Sequence, residues 1–327
     1  MPRKNPHRPF TPDPEQMALA PEVSGNAING LGEAEYRRPK VVYWATNPDD
    51  IPHGRMQKWF YTVDPGLPEF GIERAKRMEI SQAALPPVAP TPAQRSPEDW
   101  TRQLDKFIAK GLCEKVGVAT MNPDWVYEGA TVRETRVIIA GVQHDYARIA
   151  TAPEPEAGAE VMVQYTRASL VAKRIAAWLQ EEGWAARPVT GPMATSFTMI
   201  PAAIEAGFGE LGKHGSIINP EFGASFRLSA VLTDAPFAPT ARKDHGIDAF
   251  CAACRICEDA CPPYAILPEK QTVRGDEKWY VDFDKCIPYF THTHGCGICI
   301  EVCPWTIPGR GPSLSQKLLS KRSHGTL

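Results

Sequence analysis

Cys251-Ala-Ala-Cys254-Arg-Ile-Cys257-Glu-Asp-Ala-Cys261-Pro262, then Cys286 and Cys296-Gly-Ile-Cys299-Ile-Glu-Val-Cys303-Pro304, hold eight of the nine cysteines of this 327-residue chain. The first run is spaced C-x2-C-x2-C-x3-C-P. Thiolates are soft ligands that suit iron–sulfur clusters. Three of them two residues apart let a short loop wrap one cubane, while the fourth reaches a neighbouring cluster. The spacing therefore predicts one 4Fe–4S cluster on Cys251, Cys254, Cys257 and Cys303, and a second on Cys261, Cys286, Cys296 and Cys299. Zinc sites usually take two C-x2-C pairs split by a linker, not three cysteines spaced by two and a fourth by three. Disulfide frameworks belong mainly to small secreted domains. Nine residues, 287–295, separate Cys286 from Cys296. With four cysteines already available per cluster, His292 and His294 in that insertion are expected to be surface loop residues. Cys113, in a helix-like stretch, is expected to be a small buried side chain.

Composition narrows the partners. A formal net charge of -2 gives no broad pull toward nucleic acid. No run of apolar residues is long enough for a helix to span a bilayer. The segment Met1-Pro-Arg-Lys-Asn-Pro-His-Arg-Pro9 is basic but has no apolar core of a signal peptide. Arg37-Arg38 runs into Pro39-Lys40 rather than an apolar export segment. Oxygen-sensitive clusters without an export signal lead to an expected cytoplasmic location.

The chain divides into four parts. Residues 1–36 are polar and proline-broken, and are expected to form an extended or disordered arm. Residues 37–249 carry the pattern of a folded core. Within them, residues 83–97 read as a stiff proline-rich connector. Ser96-Pro97-Glu98-Asp99 then supplies an N-cap, a first-turn proline and two acids for a helix with Trp100, Leu104, Phe107, Ile108 and Leu112 on its buried face. Arg136-Val-Ile-Ile-Ala-Gly-Val142 reads as a buried strand, and residues 185–189 and 226–232 as two more. Residues 161–183 form the longest helix candidate, with Leu170, Val171, Ala172, Ile175, Trp178 and Leu179 as its apolar stripe. Strands alternating with helices predict an α/β core. Residues 250–308 follow the pattern of bacterial two-cluster ferredoxins, and residues 309–327 form a short basic tail.

One further segment stands out before the cysteines. Gly207-Phe-Gly-Glu-Leu-Gly-Lys-His-Gly-Ser-Ile-Ile-Asn-Pro-Glu-Phe-Gly223 has glycines at 207, 209, 212 and 215 around the cation Lys213. Such glycines let backbone approach a ligand closely, yet the order matches neither a Walker A loop nor a Rossmann fingerprint. This segment, with Phe226-Arg-Leu-Ser-Ala-Val-Leu-Thr-Asp234 after it, resembles the block preceding the clusters in reductive dehalogenases. Gly141-Val-Gln-His-Asp-Tyr146, the helix near Tyr165, Lys278-Trp279 and Asp284-Lys285-Cys286 extend the resemblance over residues 137–308. Epoxyqueuosine reductases share a similar block.

The resemblance implies a nitroreductase-like α+β core that holds a corrinoid, with one cluster near it. Cobalamin is bound base-off in that family, and this chain has no D-x-H-x-x-G motif to ligate cobalt; Asp244-His245-Gly246 has the wrong spacing. Carbon–halogen bonds are replaced by carbon–hydrogen there. A helix tyrosine gives the proton, and a lysine or arginine from the glycine-rich segment supports it. Tyr165 and Lys213 take those roles on the resemblance, because an adjacent cation stabilises tyrosinate. Arg274 is a candidate substrate or halide contact, and Ser216, Ile217 and Asn219 are candidate corrin contacts. The implied partners are a small organohalide and an external low-potential donor: a ferredoxin, a flavodoxin or a reductase. Two other readings stand beside this one. An epoxyqueuosine reductase would place a carboxylate after the long helix, where Thr195-Ser-Phe-Thr198 has none. An electron-transfer subunit would carry the clusters without corrinoid.

Overall fold

The computed structural model describes residues 5–191, 193 and 195–323. Eight strands follow in chain order: β1 (Lys115–Thr120), β2 (Arg136–Gln143), β3 (Ala186–Val189), β4 (Glu210–Leu211), β5 (Ile217–Ile218), β6 (Phe226–Thr233), β7 (Gln271–Val273) and β8 (Asp276–Lys278). Four build the main sheet in the order β1-β2-β6-β3, and every neighbouring pair is antiparallel. The core is thus α+β, as the resemblance implied, and helix–strand alternation alone left its strand directions open. The strands expected at residues 136–142, 185–189 and 226–232 are present as β2, β3 and β6.

Strand periodicity sorts the core into two layers. Ile138, Ala140 and Val142 of β2 pack with Val118 and Val231 on one face. Val137 and Ile139 join Ala119, Ala230 and Leu232 on the other. That is the two-residue alternation of a sheet covered on both sides. The first face is roofed by the helix Pro155–Glu181, which lays Ala168, Val171, Ala172, Ile175 and Leu179 on the sheet. It starts six residues before the expected 161, because Pro155 occupies the first turn and Glu156 favours the positive helix end.

The helix expected after Ser96 is two pieces, Pro97–Gln103 and Asp105–Ala109, which meet at Leu104. Ser96 Oγ caps it, accepting from the Asp99 N–H at 3.1 Å. Trp100 then lies 5.6 Å from both Trp178 and Phe237. Residues 83–96 run without regular structure along this layer, tied by Ala89 N–H to Gln180 O at 2.8 Å and Ala93 N–H to Glu182 O at 2.9 Å. Cys113 is buried, in the turn before β1 rather than in a helix, and burial pushes its thiol up to about 12.

The described part of the N-terminal arm is bound to the cysteine-rich segment; residues 1–4 lie outside the described residues. Gln16 is fully buried and donates to Pro288 O at 2.9 Å and Thr291 Oγ1 at 2.7 Å. Asn26 Oδ1 accepts from Phe283 N–H at 2.8 Å and Tyr280 Oη at 2.9 Å. The described part of the basic tail is the helix Arg310–Ser323, with Leu314 and Leu318 packed near Trp305; residues 324–327 lie outside the described residues. Core and cysteine segment meet at Gly223, in the left-handed region at φ +67°, where a Cβ would stand 2.3 Å from Trp305 O.

Candidate redox centre and adjoining cleft

All nine cysteines are free thiols. Cys251 ends its burial on the helix Ile247–Ala253, and Cys257 on the helix Ile256–Ala260, with Cys254 in the turn between them. Cys303 arrives from the second run. These four enclose one small space together with Lys213, His214, Ile218, Phe250, Pro304 and Trp305. Cys261, Cys286 and Cys299 gather beside Ala265, Ile266, Val281 and Val302. The Cys296 thiol acts electrostatically on Cys286 and Cys299, which completes the second quartet. The fold brings Cys303 to the first run and Cys261 to the cysteines of the second.

Burial raises these thiols, and their crowding adds to it. Cys251, Cys257 and Cys286 are pushed up to about 12, and Cys296 and Cys303 to about 11. Burial keeps the proton on each unliganded thiol, whereas a metal-coordinated thiol is deprotonated outright, so four thiols around one space form a soft-metal site. The residues fit iron–sulfur clusters. The two quartets adjoin, because Cys257 packs with Cys261 and acts on the Cys299 thiol.

A cleft of about 320 Å³ opens between the long helix, β6 and the second quartet. Its walls include His144, Tyr165, Ser216, Ile217, Arg227 and Cys296. Tyr165 is half-buried on the long helix. The Arg227 guanidinium carbon lies 4.9 Å from its ring centroid, and that of Arg77 lies 5.5 Å away. His144 follows β2; its Nδ1 is 3.0 Å from Ser225 Oγ. Burial, then the Arg227 charge, drives His144 well below the ordinary histidine range, so the ring is neutral. His144 Nε2 and Arg227 Nε are buried without a hydrogen-bond partner among the described residues.

Three of the site residues expected from sequence stand elsewhere. Lys213 does not support Tyr165. It is 2% exposed, and its Nζ donates to Glu258 Oε1 at 2.6 Å and Cys254 O at 3.0 Å, 5.0 Å above the Trp279 ring. Arg227 is the cation beside the tyrosine instead. Strand parity carries that signal, since Arg227 shares a face with Ser229 and Val231, and Val231 packs under the long helix. Arg274 sits in the β7–β8 turn at φ +51° and holds the N-terminal arm, donating from its side chain to Asn29 O and from its N–H to Gly30 O. Asn219 is fully buried, and its amide is spent locally. It donates to Phe208 O at 2.7 Å and accepts from the Glu221 and Phe222 N–H groups at 2.8 and 3.3 Å.

Ser216 and Ile217 do line the cleft. The glycine-rich segment mostly brings backbone against backbone; at Gly209 a Cβ would stand 2.0 Å from Ile218 O. Residues 287–292 are helical, the end of Phe283–His292, rather than loop, and His294 reaches the cleft wall. His144 was missed as a site residue, although it continues the helix-facing parity of Ile138, Ala140 and Val142.

An antiparallel core with a helix-roofed cleft thus lies against two groups of cysteines. Residues 250–307 match the 4Fe-4S dicluster domain family. The chain is 33% identical over 215 residues to a tetrachloroethene reductive dehalogenase of Desulfitobacterium hafniense, covering 62% of this chain and 38% of that protein. It is 31% identical over 155 residues to an epoxyqueuosine reductase of a Synechococcus species, covering 41% and 43%. Its fold matches a solved reductive dehalogenase, described as suggesting a mechanism for B12-dependent dehalogenation, with a TM-score of 0.72 and 22% identity, over 94% of this chain and 47% of that one. The chain is thus similar to reductive dehalogenases over part of its length. It spans less than half the length of the D. hafniense protein.

Proposed function

We propose that this protein is a cobalamin-dependent reductive dehalogenase or dehalogenase-like reductase carrying two 4Fe–4S clusters. The observation that carries the reading is Tyr165 under the Arg227 guanidinium, in a cleft walled by Cys296 of the second quartet. The overall change is R–X plus two electrons and one proton giving R–H plus halide. The two electrons come from an external low-potential donor through the two quartets. A cobalamin held between Tyr165, Arg227, Ser216 and Ile217 would supply the reducing cobalt chemistry.

The cleft suits such a guest in two respects. Ala152, Ala157, Gly158 and Ala224 leave its walls thin, and His144 Nε2 and Arg227 Nε offer unspent polar atoms. The residues then divide the work. Tyr165 gives its phenolic proton to the carbon that loses halogen, and Arg227 stabilises the tyrosinate left behind. Ser216 and Ile217 meet the guest from the glycine-rich side. His144, neutral, adds a hydrogen-bonding edge without a second charge.

No helix among the described residues is long and apolar enough to cross a membrane, and the cytoplasm is the proposed location. Tyr165→Phe tests the reading. It should lower halide release by about 10²–10⁴-fold, the range of a lost general acid, while iron and corrinoid contents stay at the wild-type level. Unchanged halide release would remove Tyr165 from the reaction.

A further inference from the structure

His214 follows Lys213 in the glycine-rich segment, and nothing in the dehalogenation chemistry uses it. It is one of the residues around the space enclosed by Cys251, Cys254, Cys257 and Cys303. Its Nδ1 accepts the Ser216 N–H at 3.3 Å. The ring proton of the neutral imidazole therefore sits on Nε2. That atom is buried and has no partner among the described residues. Trp305 lines the same space, and its Nε1–H is likewise buried and unpartnered. The rest of the non-cysteine wall is Lys213, whose Nζ is already donated to Glu258 Oε1 and Cys254 O, and the apolar Ile218, Phe250 and Pro304. Two orphan N–H donors thus border one small chamber. Buried donors are nearly always satisfied in native proteins, so each asks for an acceptor that belongs there. Sulfur is the acceptor a cluster on these four cysteines would present.

We propose that His214 Nε2–H and Trp305 Nε1–H donate hydrogen bonds to sulfur of the first cluster and raise its reduction potential above that of the bare four-thiolate site. The inference rests on the two-cluster reading. Reduction adds one electron to the cluster, and donors facing sulfur stabilise the more negative state. The orphan polar atoms near the second quartet, His144 Nε2 and Arg227 Nε, line the open cleft that Cys296 walls rather than a chamber enclosed by four cysteines. His214 and Trp305 act as positioning residues, through the cluster rather than on substrate.

The test is an anaerobic potentiometric titration of the whole chain with reconstituted clusters, followed by electron paramagnetic resonance. His214→Leu should lower one midpoint potential and leave the other in place as an internal control. A tenfold fall in the reduced-to-oxidised ratio at fixed poise, roughly 59 mV for a one-electron couple, is the expected scale. His214→Gln keeps an N–H donor and should restore most of the shift, which a merely structural role would not predict. Trp305→Phe should lower the same potential and decides the matter if His214→Leu fails to retain iron. Midpoints unchanged in variants with full iron and sulfide would overturn the inference. Iron and sulfide too low for two clusters in the wild type would instead overturn the reading beneath it.

Discussion

Lys213→Met separates the two roles open to that lysine. In the structure it is the cation of a buried pair, with Glu258 8% exposed and the Nζ–Oε1 distance 2.6 Å. Removing one member of such a pair strands the other charge, at about 3–5 kcal/mol. Arg255 Nε, 3.6 Å from the second oxygen but 71% exposed at its side chain, recovers part of that. The loss should therefore fall near the lower end, about 3 kcal/mol, a more than hundredfold change in the folded-to-unfolded ratio. Replacing both residues, Lys213→Met with Glu258→Leu, removes the stranded charge and should return most of the stability. Anaerobic urea unfolding, read by tryptophan fluorescence and by cluster absorbance, measures all three variants and gives the coupling by a double-mutant cycle. A Lys213→Met protein of wild-type stability that had lost halide release alone would refute the structural role and return the lysine to Tyr165.

Two further expectations concern the cleft. Arg227→Leu should cut halide release by at least tenfold with iron retained, and Arg227→Lys should keep part of the rate, since a charge near the phenol survives; equal losses in both variants would mean that charge is not what matters. His144 is held below the ordinary histidine range by burial, so the unfolded chain binds a proton more readily than the native one. Its contribution to stability is then fully present above about pH 6.5 and is lost as pH falls below that value toward its depressed native pKa. His144→Gln should flatten that part of the stability–pH curve, and an unchanged slope would remove His144 as its source.

How far the sequence could be read depends on how local each signal is. The cysteine spacing is local, and the fold brings Cys303 beside the first run and Cys261 beside Cys286 and Cys299. β2, β6 and the long helix were legible because their apolar periodicity is sustained over whole elements. Strand direction was not, because helix–strand alternation does not distinguish parallel crossovers from an antiparallel β1-β2-β6-β3 sheet. The site cation was assigned to the wrong residue for a similar reason. Lys213 stood out as a lone charge among glycines, yet its nearest anion, Glu258, lies 45 residues on and comes to it only through the tertiary fold. Arg227 looked like one polar residue in a buried strand, and only the pairing of β6 with β2 turns it toward Tyr165. Arg274 and Asn219 were candidates by neighbourhood, but both are consumed by backbone contacts no spacing rule reveals.

The central claim is that the cleft between Tyr165 and the second quartet receives a corrinoid. The most direct measurement is the anaerobic reconstitution of the full chain with cobalamin, followed by gel filtration and absorbance of the protein fraction. The account predicts corrinoid co-eluting with the protein, one per chain, with a base-off spectrum. A protein that holds full iron and sulfide while the corrinoid elutes separately with its free spectrum would contradict it.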